Sequence, residues 1–260
     1  VLPKLSEQNR AFLLQHGDGR VVFVIPYLND FSLVGTTEEE YSGDLDAPQI
    51  SEAEVSYLLK IVNRYFNVAV SDEQIVGVCS GIRPLIESEG EQATRVSRDS
   101  RMQLHRLPAP MLSVYDGKVT SYRLLAEEVL ERLRDFFPVM TGSWTESAFL
   151  PGGDFETRDK LQQRLIRRYP WLRLDLIRRW LTGYGTCATE IVGAARSMGD
   201  LGVCFGANLF QLEVDYLCAR EWAITAEDIL WRRTKLGYLF SEQEVRSLST
   251  YLDQCRRTQP

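Results

Sequence analysis

Leu150-Pro151-Gly152-Gly153 divides this chain of 260 residues into two kinds of sequence. Proline and paired glycines end regular structure and are natural punctuation between units. Upstream, β-branched and aromatic runs alternate with turns. Ala11 to Leu14 and Arg20 to Tyr27 flank Gly17-Asp18-Gly19, a hairpin signal, and Phe31 to Thr36 is a third strand candidate. Ser51-Glu52-Ala53-Glu54 is a capping box, and Val55, Leu58, Leu59, Val62 and Phe66 follow at helical spacing, which predicts a helix over 51–67. Ile75 to Cys79, the stretch around Leu104, and Met111 to Tyr115 read as further strands. A helix follows from about Lys118 to Phe137. Downstream the pattern is helical, with almost no strand signal. Phe210, Val214, Leu217 and Cys218 mark one helix and Thr225 to Asp228 opens another. A second capping box, Ser241-Glu242-Gln243-Glu244, precedes Val245, Leu248, Leu252 and Cys255 on one face. The expected class is α+β: a mixed unit over 1–150, with an antiparallel sheet and helices, and an all-helical unit over 151–260.

With 44% hydrophobic and 25% charged residues the chain can bury a core, which excludes a disordered or collagen-like chain. A net charge of −6 argues against a nucleic-acid binder. No apolar run reaches the length of a spanning helix, and Pro26 breaks the longest. Five scattered cysteines without a CxxC pair argue against a zinc site or a disulfide framework, and no metal is expected. Of the two histidines, His16 sits in a turn and reads as solvated; His105 reads as a surface residue without a nearby nucleophile motif. The chain starts Val1-Leu2-Pro3, without Met: either something is removed, or this is a piece of a longer protein.

Three features carry candidate chemistry. Arg83 precedes Pro84, whose ring biases it to extended geometry, and Arg98 follows 15 residues later. By residue type these read first as surface arginines; the alternative is a paired grip on a phosphate or carboxylate. At Tyr115-Asp116-Gly117-Lys118-Val119-Thr120 a strand turns into a helix at a glycine. Free amides and partial positive charge at a helix start suit an anion or an electron-rich ring edge; an ordinary turn capped by Asp116 is the equal alternative. Arg167-Arg168-Tyr169-Pro170-Trp171, Arg178-Arg179-Trp180 and Trp231-Arg232-Arg233 read as solvated helix faces with the aromatic turned inward. There is no P-loop and no GxGxxG.

Taken in order, Phe23-Val24-Ile25-Pro26-Tyr27, Gly35-Thr36-Thr37, Ser80-Gly81-Ile82-Arg83-Pro84-Leu85, Ser97-Arg98-Asp99, Gly117-Lys118-Val119-Thr120-Ser121-Tyr122-Arg123, Leu150-Pro151-Gly152-Gly153 and Ala226 to Lys235 resemble the FAD-dependent, respiratory glycerol-3-phosphate dehydrogenases over essentially the whole chain. The resemblance implies a substrate-cap segment followed by a C-terminal helical domain, in a parent whose FAD-binding Rossmann domain lies elsewhere. It implies oxidation of sn-glycerol 3-phosphate to dihydroxyacetone phosphate, with FAD passing electrons to quinone. It implies Arg83 and Arg98 on the substrate phosphate, Lys118 as the catalytic lysine near flavin and substrate, and Gly117, Lys118, Val119 and Thr120 at the turn facing the flavin. The family's catalytic histidine would lie just upstream of Val1. The parent is expected in the cytoplasm, peripherally bound to the inner membrane, and a homodimer is compatible with it. One departure is Asp116, where the family usually has glycine.

Two other classes compete: a stand-alone anion-binding or interaction module without chemistry, and an oxidase that hands its electrons to oxygen. As a fragment of a dehydrogenase, the isolated chain is expected to be inactive and to bind FAD poorly.

Overall fold

The computed structural model describes residues 1–83, 100–115 and 118–258. They form two compact units, Val1–Glu146 and Ser147–Pro260. The elements are mixed helices and small antiparallel sheets, an α+β chain as the sequence patterns predict.

In the first unit β1 (Leu2–Pro3), β2 (Phe12–Gln15), β3 (Val21–Tyr27) and β4 (Phe31–Gly35) form one antiparallel sheet in the order β1-β4-β3-β2. Strand alternation sorts its side chains. Leu14, Val22 and Val24 point to one face and are buried with Ile61 of helix α1 (Glu52–Tyr65). Leu2, Leu59, Val62 and Val70 form the adjoining core. Leu13, Phe23 and Ile25 point the other way and stay exposed, with Leu13 paired to Phe23 and Ile25 to Leu33. Helix α1 starts at the predicted capping box: Glu54 N donates to Ser51 Oγ (3.2 Å) and Ser51 N donates to Glu54 Oε2 (2.9 Å). Its end is held by Asn63, which exchanges hydrogen bonds of 2.8 and 2.7 Å with the backbone of Val70.

The hairpin turn corrects one expectation. His16 is half-buried and meets the Tyr57 ring edge-on at 5.6 Å. Asp18 orders the turn by accepting from Arg20 and from Tyr57, and Arg20 lies over the Tyr57 ring at 3.8 Å, so the turn folds onto α1. Ile75 to Cys79 also departs from its reading. It is extended but joins no ladder; its only sheet-like bonds are Val76 N to Val1 O (2.9 Å) and the Val1 amino group to Gly77 O (2.7 Å) among the described residues.

Strands β5 (Arg101–His105) and β6 (Met111–Tyr115) make a separate hairpin. A short 3-10 turn, Val119–Ser121, then leads into α2 (Tyr122–Leu133). No residue described between 100 and 146 is buried.

The second unit holds α3 (Arg158–Arg168), α4 (Leu174–Tyr184), α5 (Ala188–Val192), α6 (Gln211–Arg220) and α7 (Glu242–Thr258). Leu161 and Leu165 of α3 meet Ile177, Trp180 and Leu181 of α4, the i and i+4 positions that define one helix face. Val214 and Leu217 of α6 pack with Ile229, Leu230, Leu248 and Leu252 in a second cluster. Burying each such side chain contributes roughly 1.5–3 kcal/mol. Two features were not legible in the helical pattern. Cys204–Gly206 (β7) and Leu209–Phe210 (β8) form a tight two-stranded hairpin, and Asp228–Arg233 is a single π-helical turn.

The Pro-Gly-Gly stretch has a structural reason beyond punctuation. Gly152 has φ +81° and Gly185, at the end of α4, has φ +55°, and the two backbones cross so closely that a Cβ on either would collide with the other segment. Thr186 N donates to Gly152 O at 3.0 Å across this crossing. Only glycine fits both the conformation and the approach.

Candidate functional site

The Arg83 guanidinium pairs with the Glu38 carboxylate. Glu38 lies 45 positions away in sequence, in the stretch Gly35-Thr36-Thr37-Glu38 that leaves β4. That stretch is itself anchored. Thr37 Oγ1 donates to Glu54 Oε1 at 2.7 Å, while Glu54 Oε2 accepts from Ser51 N and Ser51 Oγ, both at 2.9 Å. Burial raises the Glu54 pKa, and the hydrogen bonds from Thr37 and Ser51 outweigh it, holding the carboxyl below its ordinary value. One residue thus caps α1 and ties down the turn beside Glu38. Arg83 and Glu38 are partly exposed, at 41% and 29% of their side-chain surface, so the pair stands at an accessible edge.

Lys118, Val119 and Thr120 are adjacent at the start of the turn into α2, and all three are exposed, Val119 to 88%. Ser121 closes the turn by donating its hydroxyl to Lys118 O at 3.0 Å. The first amides of any helical turn have no intrahelical acceptor. With the exposed Val119 side chain beside them, such amides could meet at most one edge of a planar, electron-rich ring. Near this turn in sequence Val114, Tyr115, Tyr122 and Leu124 are also exposed. Arg98, Asp116 and Gly117 lie outside the described residues. The expected N-cap position at Asp116 is corrected: Lys118 precedes the 3-10 turn and Ser121 precedes α2, neither with a side-chain cap, because the helix starts later than the glycine suggested.

In the second unit Arg167 and Arg168 are exposed with Tyr169 buried, as expected, while the other two basic and aromatic stretches depart from their expected roles. Trp180 is fully buried, as expected, but Arg179 is not a solvated face. It grips the buried carboxylate of Glu213 with both terminal nitrogens, Nη1 to Oε1 at 2.6 Å and Nη2 to Oε2 at 2.5 Å. Trp180 Nε1 donates to Oε2 and the Tyr184 hydroxyl to Oε1, each at 2.7 Å. Burial, and then the adjacent carboxylate, push the Tyr184 hydroxyl far above its ordinary pKa. Burial alone would lower the Arg179 pKa; Glu213 more than offsets it and the net direction is up. The surroundings dictate this: an unpaired charge cannot stay in such a core. Trp231 is 42% exposed, edge-on to Tyr238 at 4.7 Å, so here the aromatic is not turned fully inward. Glu213 and Glu38 are the two residues that sequence patterning missed. Among the described residues no group of His, Cys, Asp and Glu is placed to hold a metal ion.

Comparison with known proteins bears on this geometry. Residues 1–105 match the family model described as FAD dependent oxidoreductase, and residues 143–257 match the one described as the C-terminal domain of alpha-glycerophosphate oxidase. A glycerol-3-phosphate dehydrogenase of Pseudomonas aeruginosa is 42% identical over 255 residues, covering 97% of this chain and 50% of that protein. The aerobic glycerol-3-phosphate dehydrogenase of Escherichia coli is 40% identical over 255 residues, 97% of this chain and 51% of its own. A D-erythritol 1-phosphate dehydrogenase of Brucella abortus is 38% identical over 256 residues, with the same coverage. The chain spans about half the length of these relatives. Two consecutive family models and relatives of this identity along nearly the whole chain agree with the motifs: the chain belongs to the FAD-dependent oxidoreductases, among their glycerol-3-phosphate dehydrogenase-like members.

Proposed function

We propose that the chain is the substrate-gripping portion of a flavoenzyme that oxidises sn-glycerol 3-phosphate to dihydroxyacetone phosphate. The observation that carries this reading is Arg83: a guanidinium at an accessible edge, paired with the carboxylate of Glu38, whose neighbour Thr37 is hydrogen-bonded to Glu54 of α1. A guanidinium offers a dianionic phosphate two parallel N–H donors. In this reading residues 1–150 are part of the substrate-cap domain and residues 151–260 its C-terminal helical companion. Arg83, with Arg98 as the second arginine, binds the phosphate and fixes the direction of the C2–H bond. Much of the rate enhancement available to such a grip comes from orientation. Lys118, Val119 and Thr120 would hold one edge of the flavin, a role the resemblance also gives to Gly117, and the Lys118 charge would favour electron density developing there. Bound FAD would supply the hydride acceptor for C2.

The apolar surface of β6 and the start of α2 is where the remainder of the parent packs in this account. The isolated chain therefore retains little flavin and no turnover. Absorbance of the purified 260-residue chain and a dye-linked assay test this. A stoichiometric flavin band with turnover would contradict it. For the parent, anaerobic addition of glycerol 3-phosphate bleaches the oxidised-flavin absorbance, whereas glycerol at the same concentration does not. Absence of bleaching, or equal bleaching by glycerol, would refute the phosphate grip.

Electrons pass to quinone at a membrane surface. No helix among the described residues is long and apolar enough to cross a membrane, and peripheral association of a cytoplasmic parent is the proposed mode. A second acceptor is favoured by one observation, the match of residues 143–257 to a domain described from an oxidase. Hydrogen peroxide formed in proportion to substrate consumed would establish oxygen as acceptor; its absence with rapid quinone reduction would establish the dehydrogenase.

A further inference from the structure

We infer that Glu38 is a positioning residue for substrate binding: it holds the Arg83 guanidinium in the orientation that receives the substrate phosphate. The inference rests on the phosphate role given to Arg83 above. Three structural links carry it. Glu38 pairs directly with Arg83. Its neighbour Thr37 is tied by a 2.7 Å hydrogen bond to Glu54. Glu54 in turn is locked into the N-terminal cap of α1 by Ser51, so the anchor is a helix end packed on the sheet core. A free arginine side chain spreads over many rotamers, and ordering it on binding costs affinity. Pairing one terminal nitrogen with Glu38 removes much of that cost beforehand and leaves other N–H donors of the guanidinium for the phosphate.

A carboxylate near a phosphate site also repels the ligand. Glutamine separates the two effects, because it keeps an oxygen acceptor for Arg83 and removes the charge. If positioning dominates, Glu38→Ala raises KM for glycerol 3-phosphate and Glu38→Gln does not. If Glu38 acts only as a competing counter-ion, both variants lower KM.

The test is steady-state kinetics of the full-length parent, with glycerol 3-phosphate as substrate and inorganic phosphate as competing ligand. Flavin content and thermal midpoint are measured alongside to establish that each variant is folded. The expected result is a KM about 5- to 10-fold higher for Glu38→Ala, with a parallel rise in the inhibition constant of phosphate and kcat within about 3-fold of the parent, the size of one lost ordering contact. Glu38→Gln stays within about 2-fold in KM, and Thr37→Val, which cuts the link to Glu54, raises KM about 2- to 3-fold. An unchanged or lower KM in Glu38→Ala, while Arg83→Ala raises KM strongly, overturns the positioning role and leaves the phosphate reading intact. An unchanged KM in Arg83→Ala overturns both. If Glu38→Ala does not fold, Glu38→Gln and Thr37→Val decide: a lower KM in the first with no change in the second overturns the inference.

Discussion

Replacing Glu213 by alanine removes the common acceptor of four hydrogen bonds in the core of the helical unit. Two come from Arg179, at 2.6 and 2.5 Å, one from Trp180 and one from Tyr184, each at 2.7 Å. The carboxylate is wholly buried, and so is Trp180. Its indole N–H cannot turn to water, and leaving such a donor unpaired costs about 1–3 kcal/mol. Arg179 keeps one partner, Asn208 O at 2.8 Å, and about a quarter of its side chain reaches solvent. That softens the loss of its counter-ion but does not cancel it. Breaking a buried ion pair from one side costs about 3–5 kcal/mol, and that is the expected destabilisation of Glu213→Ala. Urea unfolding followed by tryptophan fluorescence reports on this unit, because Trp171, Trp180, Trp222 and Trp231 of the five tryptophans lie in it. With a slope near ~1.5 kcal/mol per molar urea, the midpoint falls by about 2–3 M. Replacing both partners, Arg179→Met with Glu213→Leu, recovers most of the loss, since apolar residues of similar volume leave nothing unpaired. A single-variant loss under about 1 kcal/mol would refute the claim that this carboxylate is the keystone of the unit.

Two further outcomes follow from local geometry. Gly152→Ala and Gly185→Ala each destabilise the helical unit by about 2 kcal/mol or more, because each forces a side chain into the neighbouring backbone at positive φ. Gly183→Ala, in α4 with open space at its Cβ position, is neutral or stabilising by up to about 1 kcal/mol, and the same urea titration measures all three. Asp228 accepts from Thr225 N at 2.9 Å and Ile224 N at 3.0 Å, which lowers its pKa from an ordinary 3.8 to about 2. A depressed carboxyl contributes stability that is present above the unfolded value and is lost as pH falls through the folded value, here from about pH 4 toward pH 2. Asp228→Asn therefore flattens the acid side of a stability–pH profile over that window; an unchanged slope would contradict the assignment.

How much of this was legible in the sequence depended on how local the cause is. The hairpin around Gly19 and the capping boxes at Ser51 and Ser241 were legible because each is settled within a few residues. The stretch from Ile75 to Cys79 has strand composition, yet its pairing depends on a partner far away in sequence, and among the described residues it finds only Val1. Strand propensity describes a fit to a half-buried surface, not the presence of a neighbour. Arg179 sits between Arg178 and Trp180 and looks like one more solvated cation; only the fold brings Glu213, 34 positions on, against it. Glu38 escaped notice for the same reason, lying in an acidic turn whose link to Arg83 is tertiary. The motifs announced the family and Arg83; they carried no sign of what holds Arg83 still.

The most direct test of the central claim is the Arg83→Ala variant of the full-length parent, assayed for dye-linked oxidation of glycerol 3-phosphate. A lost charged contact to a bound phosphate costs roughly 2–5 kcal/mol, so the account predicts a fall in kcat/KM of about 30-fold or more, carried chiefly by KM. A variant with the parent's KM and kcat would contradict the claim that this chain grips the substrate phosphate.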